Sequence, residues 1–252
     1  MYFLSGFNTQ FIQKFSDFWL DFQKQFVQSF ITGDRWLLYI KGLGVTLMLT
    51  VLALILGIIL GVLVAVIRSA HDQQKAGRKN SLLGFLNFLC KVYVTVIRGT
   101  PMMVQLLIMY FVIFANTRNM VGVAALAFGI NSGAYVSEII RGGIMAVDAG
   151  QMEAGRSLGF GYAATMRLII IPQAVKIILP ALGNELITLL KETSIVTVIG
   201  LRDLTKAAML IVGKTYLAFM PLIAIALIYL IIVMILTWLV GKLERRLRTS
   251  ER

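Results

Sequence analysis

Four stretches of this chain run for roughly the length of a bilayer without one charged side chain: Gly42 to Ile67, Gly99 to Thr117, Asn119 to Ser137 and Thr215 to Gly241. A helix needs about 20 apolar residues to cross roughly 30 Å of hydrocarbon, and only helices or closed barrels satisfy their own backbone there. These runs therefore predict an all-α integral membrane protein. A fifth span is expected over residues 175–201, although Lys176, Glu185, Lys191 and Glu192 interrupt it. Composition agrees: 58% of the 252 residues are hydrophobic and 14% charged, with mean hydropathy +0.84, too much apolar surface for one water-soluble domain to hide.

Lysine and arginine orient the spans. Arg68, Lys75, Arg78, Lys79, Lys91 and Arg98 lie between the first two, Arg141, Arg156, Arg167 and Lys176 between the third and fourth, and Lys242, Arg245, Arg246, Arg248 and Arg252 after the last. Cations accumulate on the cytoplasmic side, so five spans (42–67, 99–117, 119–141, 175–201 and 215–241) place the amino terminus outside and the carboxy terminus inside. Lys14, Lys24, Arg35, Lys41, Arg118, Arg202, Lys206 and Lys214 are left to the opposite side. A four-span count would put either the tail or 142–172 on the wrong side. The formal charge of +12 lies mostly beside spans, where anionic lipid accounts for it, so no nucleic-acid partner is expected.

Residues 1–36 lack the basic region and continuous apolar core of a signal peptide. Phe11, Phe15, Phe18, Phe22 and Phe26 recur every three or four residues among Gln, Lys and Asp, which gives an amphipathic segment for the outer interface or an extracellular partner. The membrane-spanning remainder is 37–245. A metal site is not expected, because the only histidine, His71, sits in a polar loop and the only cysteine is Cys90. Gly57 and Gly61 have the spacing that lets two helices approach closely. Pro101 lacks an amide donor and should break the segment around Arg98–Thr100 into an interfacial helix followed by a span.

Two regions carry the functional reading. On the third span Asn131, Tyr135, Glu138 and Arg141 share a face that must avoid lipid. On the fourth, Asn184, Glu185, Lys191, Glu192, Thr193 and Ser194 cluster at membrane depth, where an ionisable group is costly unless paired or hydrated. With Tyr135 they form a candidate substrate pathway. A zwitterion would meet the carboxylates with its ammonium group, and Lys191 and the hydroxyls with its carboxylate. Between these spans, 142–172 contains glycine-interrupted short helices suited to receive a push and pass it to the bundle.

The string Glu153-Ala154-Gly155, then Gly159, Ile169 and Pro172, resembles the cytoplasmic coupling loop of permease subunits in ATP-binding-cassette importers. Gly155 stands where that pattern usually has Ala, and Ile171 where it usually has Leu. RGTPMMVQ at 98–105, AYVSEIIRGGI at 134–144 and LLKETSIVTVIG at 189–200 resemble the polar amino acid branch of that family. The resemblance covers about residues 36–242. It implies a type I importer permease in a prokaryotic cell membrane, a two-fold dimer, two copies of a separate ATPase docked on the coupling loop, and an extracytoplasmic solute-binding protein. Nothing catalytic is expected in the chain itself, which has no G-x-x-x-x-G-K-[ST] loop, so ATP and Mg would be bound by the partner. An ion-coupled secondary transporter is the alternative, since Glu185 could carry protons, but such proteins usually have two repeated halves and none is evident. An intramembrane hydrolase lacks a G-x-S-x-G or H-E-x-x-H motif.

Overall fold

The computed structural model describes residues 2–72 and 80–249, with no strand among them. Five helical stretches are long and apolar enough to cross a membrane: Trp36–Asp72, Ser81–Gly99, Met120–Met145, Tyr162–Ile199 and Phe219–Leu247. The number is as expected, but the second stretch is displaced. It precedes Pro101, where the sequence reading had placed an interfacial helix, instead of following it over 99–117. The reason is local. Asn80 accepts from the amides of Leu82 and Leu83 and so starts a 19-residue helix, which stops when Thr100 turns extended ahead of Pro101. After Pro101 only seven α and five π residues follow before a turn, a rise of roughly 18 Å that cannot cross a bilayer. The fourth stretch likewise begins at Tyr162, inside the loop expected over 142–172.

In chain order the helices are α1 (Tyr2–Phe26), α2 (Trp36–Asp72), α3 (Ser81–Gly99), α4 (Met102–Ile108), α5 (Met120–Met145), α6 (Ala149–Ser157), α7 (Tyr162–Thr165), α8 (Ile171–Glu192), α9 (Leu204–Thr215) and α10 (Phe219–Thr249). Contacts divide them into two compact units, one of residues up to Val45 with Arg202–Leu230, the other of Thr46–Leu201 with the chain from Ile231 onward.

In the smaller unit α1 has Trp19 stacked on Phe22 at 5.7 Å, with Phe18 and Trp19 exposed. The side chains of Phe11 and Phe15 lie outside the described residues, as do Lys75, Arg78, Lys79 and Arg252. Tyr39, Leu204, Ala208, Ile211 and Ile225 form its core, and the Phe30 ring stacks on Tyr39 at 5.3 Å. Asp203 caps α9, accepting from the amides of Thr205 and Lys206 at 3.0 and 2.9 Å.

In the larger unit α5 is the axis, two-thirds buried over its most apolar window. Along α2, Leu56 meets Gly129, Gly57 meets Ser132, Leu60 meets Gly133 and Gly61 meets Val136, each so close that a Cβ on the glycine would overlap its neighbour. The small-residue spacing of α2 is thus the contact itself. The numbers rise together, so α2 and α5 run parallel. On α8 they fall: Ser132 meets Glu185, and Gly143 meets Ala174 and Ile178, which makes that pair antiparallel. Parallel helices need an odd number of crossings between them, and among the described residues Ser81–Gly99 is the one intervening helix of spanning length.

Candidate functional site: a terminal helix tied to a polar span

The first part of the site is α6. Asp148 caps it by accepting from the Gly150 amide at 2.7 Å. It ends on a reverse turn in which the Phe160 amide donates to the Gly155 carbonyl at 3.1 Å and the Gly159 amide to the Arg156 carbonyl at 3.0 Å. That termination demands a left-handed residue, and Gly159 has φ +83°. Gly155 is buried, and a Cβ there would stand 3.0 Å or less from atoms of Thr165 and Ile169. The departure from alanine at this position is therefore a close approach of α6 to the helix that follows. Thr165 is fully buried, and its hydroxyl donates to the Gly161 carbonyl at 3.2 Å. Gln173 makes the second tie, donating to the Gln151 side chain at 3.2 Å and to the Ile169 carbonyl at 3.1 Å.

What α6 leaves outward is its other side. Glu153 and Ala154 are exposed, and next to them stand Leu158 at 74%, Phe160 at 41% and Tyr162 at 40% exposure. Three large apolar side chains side by side in an otherwise polar loop mark a surface made to be covered. The helix behind it runs without a break from Tyr162 to Ile199, widened to a π turn over Met166–Ile170 just before Pro172, which has no amide to donate. Tyr162 and Met166 also line a cavity of about 240 Å³ with Ala65 and Ser69 of α2 and Ile140 and Ile144 of α5. The whole segment thus sits at the carboxy-terminal ends of both parallel helices.

The second part is α8, whose polar residues fall on two stripes. Asn184, Thr188 and Lys191 lie along an exposed one, with the Thr188 hydroxyl donating to the Asn184 carbonyl at 3.1 Å. Beside it Glu185 and Glu192, seven residues apart, are partly buried, and Glu185 accepts from the buried Ser132 hydroxyl at 2.7 Å. An exposed amide, hydroxyl and ammonium on one face of a spanning helix do not suit hydrocarbon; they suit water, solute or another protein. Ser194 is partly buried just beyond.

Two expected pathway residues stand elsewhere. Thr193 is fully buried, and its hydroxyl donates to the Leu190 carbonyl at 2.7 Å, so it holds the turn into the 3-10 segment Thr193–Ile199. Tyr135 lies under the Arg98 guanidinium, 5.2 Å from its ring centroid, and faces α3.

Three groups that sequence reasoning passed over complete the site. Thr188 was hidden by the charges around it. Arg68 of α2 pairs with Glu138 of α5, while Arg141 reaches the other carboxylate oxygen at 3.5 Å, so the contact between Glu138 and Arg141, neighbours on the face noted above, is the lesser half of a cluster. Gln105 donates to the Ile97 carbonyl at 2.8 Å, to the Thr100 carbonyl at 3.1 Å and to its hydroxyl at 2.7 Å, and accepts from Asn131 at 3.0 Å. Ile97 is four residues before Pro101, the residue that cannot donate to it, so Gln105 supplies the missing donor and ties the break to α5. That signal was present in the spacing of Pro101 and Gln105.

Residues 76–249 match the family described as binding-protein-dependent transport system inner membrane component. Among curated proteins the chain is 43% identical over 185 residues to the arginine transport system permease protein ArtQ of Bacillus subtilis (strain 168), covering 68% of this chain and 84% of that one. It is 38% identical over 166 residues to the glutamine transport system permease protein GlnP of Escherichia coli (strain K12), 64% of this chain and 76% of that one. A crystal structure of an amino acid ABC transporter with histidines superimposes with TM-score 0.75 at 44% identity, over 83% of this chain and 94% of that chain. An inward-facing structure of the MetNI methionine ABC transporter gives TM-score 0.69 at 18% identity, over 83% and 96%, a likeness of fold.

Proposed function

The chain belongs to the family of binding-protein-dependent transport system inner membrane components, and from that premise we propose that it is the permease subunit of an importer for a polar amino acid, driven by a separate ATP-binding-cassette ATPase. Its amino terminus is outside and its carboxy terminus inside. It works as a homodimer with two ATPase copies, which bind ATP and Mg, and an extracytoplasmic protein delivers the solute. The relatives named for arginine and glutamine transport support the solute class.

The observation that carries this reading is the union of docking surface and polar stripe on one helical unit. Glu153, Ala154, Leu158 and Phe160 offer the ATPase a mixed acidic and apolar face, while Gly155, Gln151, Ile169 and Gln173 fasten that face to the base of α8. Closing of the ATPases moves α6, the rigid contact passes the movement to α8, and the stripe of Asn184, Thr188 and Lys191 beside Glu185 and Glu192 changes its access from one side to the other. Lys191 receives the solute carboxylate, the two glutamates its ammonium group, and the Asn184, Thr188 and Ser194 side chains replace lost water. Glu153→Lys reverses the charge of an exposed residue with no burial to disturb. It is expected to abolish co-purification of the ATPase while leaving the permease monodisperse in detergent; an undiminished ATPase yield would remove α6 as the docking element.

A further inference from the structure

We propose that the face of α10 formed by Met234, Thr237, Trp238, Gly241, Lys242 and Arg245 is a binding site for the phosphate headgroup of an anionic phospholipid. These residues line, among the described ones, a groove of about 640 Å³. Their spacing of three and four confines them to one side of the helix. The side chains change character along the axis: Met234 and Trp238 are 61% and 63% exposed, then Gly241 opens the surface, and Lys242 and Arg245 follow. A Cβ at Gly241 would meet nothing within 4 Å, so the glycine is a notch facing open space and serves no packing contact. The Lys242 ammonium stands 5.1 Å from the Trp238 ring centroid, held over the apolar wall and not projected away from it.

This gradient selects the occupant. The charge-free run that begins at Thr215 ends at Gly241, so the notch falls where hydrocarbon gives way to headgroups. Acyl chains match the exposed apolar wall above, and two cations one turn apart match a phosphate below. A soluble acidic peptide would leave the Met234–Trp238 wall uncovered.

The test is native mass spectrometry of the full-length permease in detergent, titrated with phosphatidylglycerol or with phosphatidylcholine of the same acyl chains. Phosphatidylglycerol is expected to bind in preference, with about fivefold loss for each cation removed in Lys242→Gln and Arg245→Gln, and retention in Lys242→Arg. Gly241→Leu fills the notch and keeps every charge, so it is expected to erase the preference; its elution profile reports whether it folds, and Gly241→Ala, smaller and helix-favouring, is expected to weaken it. Equal binding of the two lipids, or an equal loss from Arg246→Gln, would reduce the effect to diffuse charge and overturn the site. Disulfide-linked dimers from Trp238→Cys in a Cys90→Ser background would overturn it as well, by showing that a second copy covers the face.

Discussion

Leucine at position 155 would push a branched side chain into space that Thr165 and Ile169 occupy. Overpacking of this kind costs about 1–3 kcal/mol, so Gly155→Leu is expected to lower the melting temperature of the purified permease and, if ATPase still binds, to separate ATP hydrolysis from uptake. Gly159→Ala tests the turn alone: an alanine forced to positive φ destabilises by more than about 1 kcal/mol, whereas docking residues stay in place. At this scale the sequence was readable where a residue has one physical reason to exist. Gly159 could be recognised because a helix end wants a left-handed glycine. Gly155 could be recognised only as small, since what excludes a Cβ is ten to fourteen residues away along the chain. For Thr193 the sequence shows a hydroxyl beside Lys191 and Glu192 but neither its burial nor its donation to the Leu190 carbonyl, both of which depend on the fold.

Among elements, the most informative is the break between α3 and α4. Gln105 satisfies the Ile97 carbonyl that Pro101 leaves without a donor, and Gln105→Leu removes that donor in a partly buried setting, where an unmade hydrogen bond costs about 1 kcal/mol. The expected result is a loss of thermal stability that Gln105→Asn, too short to span both partners, does not restore. The α2–α5 pair offers a reciprocal test. Arg68→Glu and Glu138→Arg each leave like charges together at the ends of parallel helices, and the double exchange is expected to recover most of the uptake lost by either. Their pairing could not be found from sequence, because 70 residues separate them; helical periodicity offers only Glu138 and Arg141, three apart on one face. The misplacement of the second span has a similar origin. A charge count favoured 99–117 over 81–99, which contains Lys91 and Arg98, yet continuity of backbone hydrogen bonding decides what can cross, and Pro101 interrupts only the former.

At the scale of the whole molecule two features that are ordinary apart are joined: a short helix, α6, at one end of a bundle, and a spanning helix, α8, with a polar face. The sequence contained both, and the family resemblance supplied their relation; the buried contact of Gly155 and the hydrogen bond from Gln173 to Gln151 give that relation a physical form. The measurement that tests it most directly is uptake of labelled polar amino acids into proteoliposomes holding the permease with its ATPase and binding protein, with ATP inside or outside and with imposed proton or sodium gradients. The account predicts uptake that requires ATP on the ATPase side, is lost in Glu153→Lys, and is weakened in Lys191→Gln and Glu192→Gln with ATPase binding intact. Uptake that follows an ion gradient and ignores ATP would contradict it and make Glu185 the carrier of a coupling proton.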